Sequence, residues 1–119
     1  LVVIDGIADL VSDVNDLEQS NNVVQKIMEW SQKFSCHIIT VIHSNFGSDK
    51  PTGHLGSLLE KKTETQIQLE TNTVNKDWIT VKCKRSRGYA FDTFSFKVNN
   101  VGLPEIIGNL YNPLEGVSF

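Results

Sequence analysis

The first five residues, Leu1-Val2-Val3-Ile4-Asp5, restrict the fold more than any other segment of the chain. Four consecutive apolar residues, three of them β-branched, cannot alternate between a buried and a wet face. They therefore predict a parallel strand that is covered on both sides. Asp5 is the first polar group after this strand. Because open α/β sheets bind ligands at the carboxyl ends of their strands, Asp5 is a candidate for chemistry.

Length and composition predict one globular domain over residues 1–119, with a net charge of -3 and 39% hydrophobic residues. This balance argues against a disordered chain and against one that coats nucleic acid with its whole surface. No apolar run approaches the roughly 18 residues that span a bilayer, so no membrane is expected as a partner.

The chain begins in mid-strand without an initiating Met, and we expect it to be the later part of a longer domain.

The two cysteines, Cys36 and Cys83, fit neither a metal-binding spacing nor a disulfide framework. Both lie in apolar or strand-like runs. They are predicted to be buried free thiols in a reducing compartment, which favours a cytoplasmic setting.

A second apolar run, Cys36 to His43, also ends in a polar residue. Between the two runs, a helix is predicted to start near Asn15 or Asp16 and to continue to Phe34. Its apolar stripe contains Val23, Val24, Ile27, Met28, Trp30 and Phe34, and we expect Met28 and Trp30 to fill the core. Strand, helix and strand form a βαβ unit, which brings Asp5 and His43 to the same sheet edge.

The remaining segments predict a loop, a short helix and antiparallel strands. Residues 44–53 contain two glycines and a proline, which indicates an exposed loop, and Thr52 can cap a helix over residues 54–62. Alternation in 66–70 and 78–84 predicts a hairpin with Ile67 and Leu69 facing inward. Further strands are expected over 91–98 and around 105–107, all on one mixed sheet, and the tail from Asn109 gives no prediction.

Three groups could carry chemistry, and each has a purely structural alternative. Asp5 could hold a hydrated Mg²⁺, or it could simply cap a nearby turn. His43 could be a functional group or could satisfy a backbone carbonyl. The basic cluster of Lys82, Lys84, Arg85 and Arg87 could bind phosphate oxygens, or it could be a solvated edge whose lysines discourage aggregation; Lys82 and Lys84 are expected on one strand face.

Taken in order, these segments resemble the second half of a RecA-like P-loop ATPase core, over roughly residues 1 to 107. Within that superfamily the chain resembles the hexameric replicative helicases and the plasmid RepA-like ATPases. Residues 1–5 match the Walker B strand, and Val41-Ile42-His43-Ser44-Asn45 matches the strand that ends in a γ-phosphate sensor. Residues 47–53 fall where the family has its DNA-binding loop, and Lys84-Arg85-Ser86-Arg87-Gly88 resembles the strand end that supplies an arginine finger.

The resemblance implies specific roles for these residues. Asp5 would act on Mg²⁺, and His43 and Asn45 would sense the γ-phosphate of ATP. Single-stranded DNA would contact the loop. An arginine, Arg87 in preference to Arg85, would reach the nucleotide of a neighbouring subunit with Lys84 as its companion. The loop residues implied are Gly47, Ser48, Lys50 and Gly53.

The resemblance also implies a homo-oligomer, a hexameric ring in the complete protein, with ATP and Mg²⁺ as cofactors. The Gly-rich phosphate loop and the catalytic glutamate of the family are absent from the 119 residues. This chain alone is therefore predicted not to hydrolyse ATP. It is also expected to self-associate through an open sheet edge.

Two other functions fit the same residues. The chain could be a non-enzymatic module whose basic hairpin and Gly-containing loop bind nucleic acid or a protein. It could instead be a metal-dependent phosphatase or nuclease built on Asp5, Asp9 and His43. The second alternative is weaker, because Asp9 lies beyond the strand end in sequence.

Overall fold

A computed structural model describes residues 1–107, which group into two compact units. The first unit contains Leu1–Thr63, and the second begins at Glu64. The chain is a mixed α/β protein with a two-stranded parallel sheet and a four-stranded antiparallel sheet. The predicted tail, residues 109–119, lies outside the described residues.

The first unit is the predicted βαβ arrangement followed by a further helix. Its elements are β1 (Val2–Asp5), a 3₁₀ turn (Ile7–Leu10), α1 (Leu17–Lys33), β2 (Ile38–Val41) and α2 (Gly53–Lys62). The strands pair in parallel, with Val2 opposite Ile38 and Asp5 opposite Val41. The parallel pairing of the two apolar runs is thus confirmed, although β2 is shorter than the run that predicted it.

Helix α1 begins where its capping residue predicts. The Asp16 side chain accepts a hydrogen bond from the Gln19 N–H at 2.9 Å, which satisfies one of the unpaired donors of the first turn. The buried residues of α1, Ser20 and Val24, lie in its first half. The expectation that Met28 and Trp30 fill the core is wrong. Both are at least 40% exposed, because the buried stripe does not extend to their part of the helix.

The core of the first unit is small and lies where three short segments meet. Ile7 and Leu55 are fully buried, and Val24 and Leu59 join them. Partly buried residues surround this cluster, among them Ile4 from β1 and Ile42, which directly follows β2. The 3₁₀ turn, α1 and α2 therefore all contribute to one apolar cluster, and this cluster also packs against the carboxyl-terminal part of the strand pair.

The parallel sheet is covered on one face, not on both as the apolar run predicted. Ile4 packs against the core, whereas Val3 and its partner Ile39 lie on the opposite face and are 58% and 50% exposed. Leu1 lies two residues before Val3, and Val41 lies two residues after Ile39, so they belong to the same face and are also exposed. The helices of the unit protect one face only, and the other remains apolar and open.

The second unit is a four-stranded antiparallel meander. Its strands are β3 (Thr65–Thr71), β4 (Trp78–Ser86), β5 (Phe94–Val98) and β6 (Pro104–Ile107), in the order β3-β4-β5-β6. The predicted hairpin is confirmed. The prediction of one mixed sheet is wrong, since the described strands form two separate sheets. β3 pairs with β4, the next strand along the chain, and not with a strand of the parallel sheet. This local pairing requires the closure of only a short loop.

The two faces of the antiparallel sheet separate polar from apolar residues, but β3 is exposed on its apolar side. Ile67 and Leu69 were predicted to face inward, yet they are 56% and 63% exposed, while Val81, the partner of Leu69, is 6% exposed. Within residues 1–107, β3 has a neighbouring strand on one side only. The β5 strand also starts later than predicted, and the Phe91 ring lies 6.1 Å from the Phe94 ring instead.

Residues 1–107 include no helix with the length and apolar character needed to cross a membrane.

We predict that Gly56→Ala destabilises the first unit. A Cβ at this position would lie 2.6 Å from the Pro51 backbone, which is closer than atoms can approach without movement of the chain. The cost should be about 1–3 kcal/mol of unfolding free energy, measured by urea denaturation. His54→Ala, an exposed position on the same helix, is the control. A gain of roughly 1 kcal/mol for Gly56→Ala, as helix propensity alone would give, contradicts this prediction.

Candidate functional site

The parallel register places the two polar strand ends of the first unit side by side. Asp5 ends β1 and pairs with Val41, the last residue of β2, and His43 follows two residues later. Both Asp5 and His43 are exposed. Because of this register, Asp5 and His43 lie at the same edge of the sheet, as predicted. A carboxylate and an imidazole at this edge are open to a ligand.

Asp9 turns back toward the end of β1. Gly6 adopts a left-handed conformation with φ 75°, and its carbonyl accepts the Asp9 N–H at 3.0 Å. A Cβ on Gly6 would lie 3.0 Å from Asp9 Oδ2, so the Asp9 carboxylate stands directly beside the residue that follows Asp5. The distance between Asp5 and Asp9 in sequence had made Asp9 a weak candidate. The tight turn that begins at Gly6 removes that objection.

Two carboxylates at one strand end suit a hard cation that keeps several of its waters. Mg²⁺ is bound in this way in many phosphate-handling sites, through one or two carboxylates and water. Within residues 1–107, no three side chains of His, Cys, Asp or Glu form a group that could hold a metal ion by themselves. Asp5 and Asp9 could therefore supply only part of the coordination of such an ion, and water would supply the rest.

The backbone of His43 anchors the loop that follows it. Its carbonyl oxygen accepts the Thr52 hydroxyl at 2.8 Å and the Thr52 N–H at 3.1 Å. Thr52 also precedes α2, so the same residue closes the loop and starts the helix. The predicted cap at Thr52 is confirmed in position, but its hydroxyl is used by His43 and not by the helix backbone.

The loop over residues 44–51 is a closed hairpin-like turn. Ser44 and Pro51 form a β-bridge, and the Asn45 N–H donates to the Lys50 carbonyl at 2.8 Å. Gly47 has φ 68°, a conformation that favours glycine. Asn45, Gly47, Ser48 and Lys50 are all exposed, as predicted. Phe46, which the sequence analysis passed over, is fully exposed beside them.

Gly53 differs from the other predicted loop residues. It is half-buried at the start of α2, with φ 70°, and a Cβ there would lie 2.7 Å from the Val14 carbonyl oxygen. Its neighbourhood is therefore filled by the chain itself. Gly53 permits the close approach of α2 to the backbone at Val14, so it has a packing role that the sequence did not indicate.

The basic end of β4 contains a β-bulge that changes the predicted faces. Gln66 pairs with Arg85 and Ile67 pairs with Cys83, so Lys84 is the extra residue. Plain alternation would place Lys82 and Lys84 on one face. With the bulge, Arg85 pairs with Gln66, and Lys82 pairs with Gln68. Because Gln66 and Gln68 lie on the same face of β3, Arg85 and Lys82 also share a face. Lys82 itself forms an ion pair with Glu70.

Arg87 lies just beyond β4 and its backbone is fixed at the base of the hairpin. Its N–H donates to the Glu64 carbonyl at 2.9 Å, and the following Gly88 N–H donates to the Ser86 hydroxyl at 3.2 Å. Lys84, Arg85 and Arg87 are all exposed. The structure thus groups the predicted basic residues at one end of the second unit, whereas Asp5, His43 and Asn45 belong to the first unit.

Both cysteines are free thiols, and each is half-buried rather than fully buried.

Comparison of the chain with protein-family models, with characterised proteins and with solved structures finds no match. The chemistry of the site must therefore be inferred from its own residues.

We predict that Thr52→Val loosens the loop without unfolding the unit. The substitution keeps the shape of the side chain but removes the hydroxyl bond to the His43 carbonyl, at a cost of about 1 kcal/mol. Amide hydrogen exchange of Asn45, whose N–H bonds across the loop, should become faster. Thr52→Ser, which retains a hydroxyl, is the control. Equal exchange rates in the Val and Ser variants would show that this bond does not hold the loop closed.

Proposed function

We propose that this chain is the C-terminal portion of a RecA-like core in an ATP-dependent, DNA-translocating ATPase or helicase of the cytoplasm. The observation that carries the proposal is the parallel register of β1 and β2, with Asp5 at one strand end and His43 just beyond the other. Open α/β sheets bind their ligands at the carboxyl ends of their strands, and a carboxylate and an imidazole at this edge could contact the metal and the phosphate of a nucleotide. ATP and Mg²⁺ are the cofactors of the complete protein.

Asp5 is the proposed Walker B residue, with Asp9 beside it. The exposed Asp5 carboxylate, and the Asp9 carboxylate that returns over Gly6, offer oxygen ligands to a hydrated Mg²⁺. When bound, the ion would neutralise negative charge on the phosphate oxygens. Asp5 would hold the ion directly or through water, and Asp9 would orient a water in its coordination shell.

His43 and Asn45 are the proposed sensors of the γ-phosphate. The His43 carbonyl is held by two hydrogen bonds from Thr52, so its backbone has little freedom while its side chain remains exposed. A sensor has to respond to a phosphate without a large change in its own position. The same bonds connect the sensor position to the loop, and thereby supply a route from nucleotide state to loop conformation.

The exposed loop is the proposed contact with single-stranded DNA. Gly47 and Ser48 present backbone and hydroxyl groups, Lys50 adds a positive charge, and the fully exposed Phe46 ring offers a surface on which a base can stack. Gly53 acts only indirectly in this proposal, because it is packed against the Val14 turn.

The basic end of the second unit would act in trans within a homo-oligomer, a hexameric ring in the complete protein. We assign the arginine finger to Arg87, because hydrogen bonds of its own backbone and of Gly88 fix its position. Arg85 is a strand residue paired with Gln66, and Lys84 occupies the bulge. Arginine suits the role since its planar guanidinium contacts phosphate oxygens bidentately.

A second function is a binding module without catalysis. The exposed aromatic Phe46 beside Lys50, and the exposed basic end of β4, would each serve a nucleic-acid surface without any nucleotide. Nucleotide dependence separates the two functions: the ATPase requires that the DNA affinity of the complete protein changes with ATP, and the module does not.

We predict that Asp5→Asn in the complete protein lowers the ATPase rate at least about a hundredfold, because metal positioning contributes several kcal/mol to phosphoryl transfer. ATP turnover is the measurement. Asp92→Asn, an exposed acid in the other unit, is the control and should retain activity. Full turnover by the Asp5→Asn protein would refute the Walker B assignment.

We also predict that Arg87→Ala in the complete protein retains nucleotide binding and loses oligomer-dependent hydrolysis by about a thousandfold, the usual contribution of an arginine finger. Nucleotide binding and turnover are measured separately. Arg85→Ala should have the smaller effect. If hydrolysis survives in the Arg87→Ala protein and fails in the Arg85→Ala protein, the finger is Arg85.

A further inference from the structure

The β3 strand has an open edge. In the antiparallel sheet it pairs with β4 on one side, and none of the strands within residues 1–107 pairs with its other side. An open edge presents backbone N–H and C=O groups that can accept another strand. Natural edge strands are usually protected by lysine, proline or a bulge. β3 has none of these, because the bulge residue of this hairpin, Lys84, lies on β4.

The open edge is also apolar on one face. Ile67 and Leu69 are 56% and 63% exposed, although both lie on the same face as the buried Val81. The burial of β3 alternates regularly along its whole length, as in a regular strand. A strand added at this edge would place side chains beside Ile67 and Leu69 and remove part of their apolar surface from water.

The sequence of β3 is complementary to itself. Thr-Gln-Ile-Gln-Leu-Glu-Thr has nearly the same pattern in both directions about its central residue, Gln68. In an antiparallel pair centred on Gln68, Ile67 faces Leu69 of the second copy, and the outer pairs are Gln66 with Glu70 and Thr65 with Thr71. Each pair is alike in polarity, and no two like charges stand opposite each other.

We propose that β3 is a dimerisation strand whose partner is β3 of a second copy of this chain. The two strands pair antiparallel about a two-fold axis at Gln68 and join the two four-stranded sheets into one continuous sheet. Such a pair places apolar side chains opposite apolar ones and leaves the Gln68–Glu70–Lys82 cluster on the other face. The pairing needs neither nucleotide nor DNA, so it stands or falls independently of the proposed ATPase.

The first test uses charge at the two apolar positions, with dimerisation measured by sedimentation. Ile67→Lys combined with Leu69→Lys places like charges opposite each other twice, and the dissociation constant of the dimer should rise at least about tenfold. Ile67→Lys combined with Leu69→Glu places opposite charges in the same positions and should restore the dimer. The control is Val74→Lys, at an exposed residue between β3 and β4. Circular dichroism checks that each variant is folded.

The second test uses the two-fold axis. Directly opposite residues in antiparallel strands have Cα atoms about 4.5–5.5 Å apart, a separation that a disulfide can bridge. With Cys36 and Cys83 replaced by serine, Gln68→Cys should cross-link to itself on oxidation. Gln66→Cys alone should not, but it should cross-link when mixed with Glu70→Cys.

Three results would overturn the proposal. The first is that the unaltered chain sediments as a monomer at about 100 μM, far above the dissociation constant expected of a stable dimer. The second is that the variant with lysine at both positions 67 and 69 still dimerises. The third is that Gln66→Cys cross-links to itself as readily as Gln68→Cys. The last result would show that two copies of the chain pair at this edge in a different register.

Discussion

The carbonyl oxygen of Val14 is the point on which the first unit depends. It accepts the Leu55 N–H at 3.0 Å and lies 3.5 Å from the Ser20 hydroxyl, and Gly53 is pressed against it. The start of α2 and the first turn of α1 are thus joined at a single backbone atom. The side chain of Leu55, whose N–H makes this contact, is fully buried in the core. A side chain at residue 53 would separate the helices and open the apolar cluster beneath β1.

This arrangement explains how a small core can position exposed polar groups. Ile7 is buried immediately after the left-handed Gly6, so the turn that anchors β1 also returns Asp9 to the strand end. On the other strand, Ile42 packs against the core and His43 follows it into solvent. Asp5, Asp9 and His43 therefore each lie within two residues of a core contact. A position fixed in this way is what a phosphate or metal site requires.

The sequence was sufficient for the parts of the fold that depend on local patterns. The parallel pair, the start of α1 at Asp16 and the β3–β4 hairpin all follow from periodicity and capping. It was insufficient where the result depends on neighbours. The alternation in β3 identifies which residues share a face, but only the strand order shows that no strand of residues 1–107 lies beyond Ile67 and Leu69. Exposure of Met28 and Trp30 likewise depends on how far the helix contacts extend.

The candidate site was partly predictable for the same reason. Asp5 and His43 are marked by the ends of apolar runs, and their common edge follows from the parallel pairing. The return of Asp9 depends on one backbone angle at Gly6, and the bulge at Lys84 depends on pairing across the hairpin, so neither has a clear local signal. Phe46 did have one: an aromatic residue among small polar loop residues has no core to enter.

The bulge at Lys84 divides β4 into two segments that differ in how they pair with the neighbouring strands. Before the bulge, residues 78–81 pair with β5 and residues 79–83 pair with β3, so most substitutions there must suit two strands or the face that they share. After the bulge, β4 pairs with β3 alone. The basic end of this strand therefore depends on one neighbouring strand, and its sequence is less restricted by the sheet than the sequence of the first half of β4.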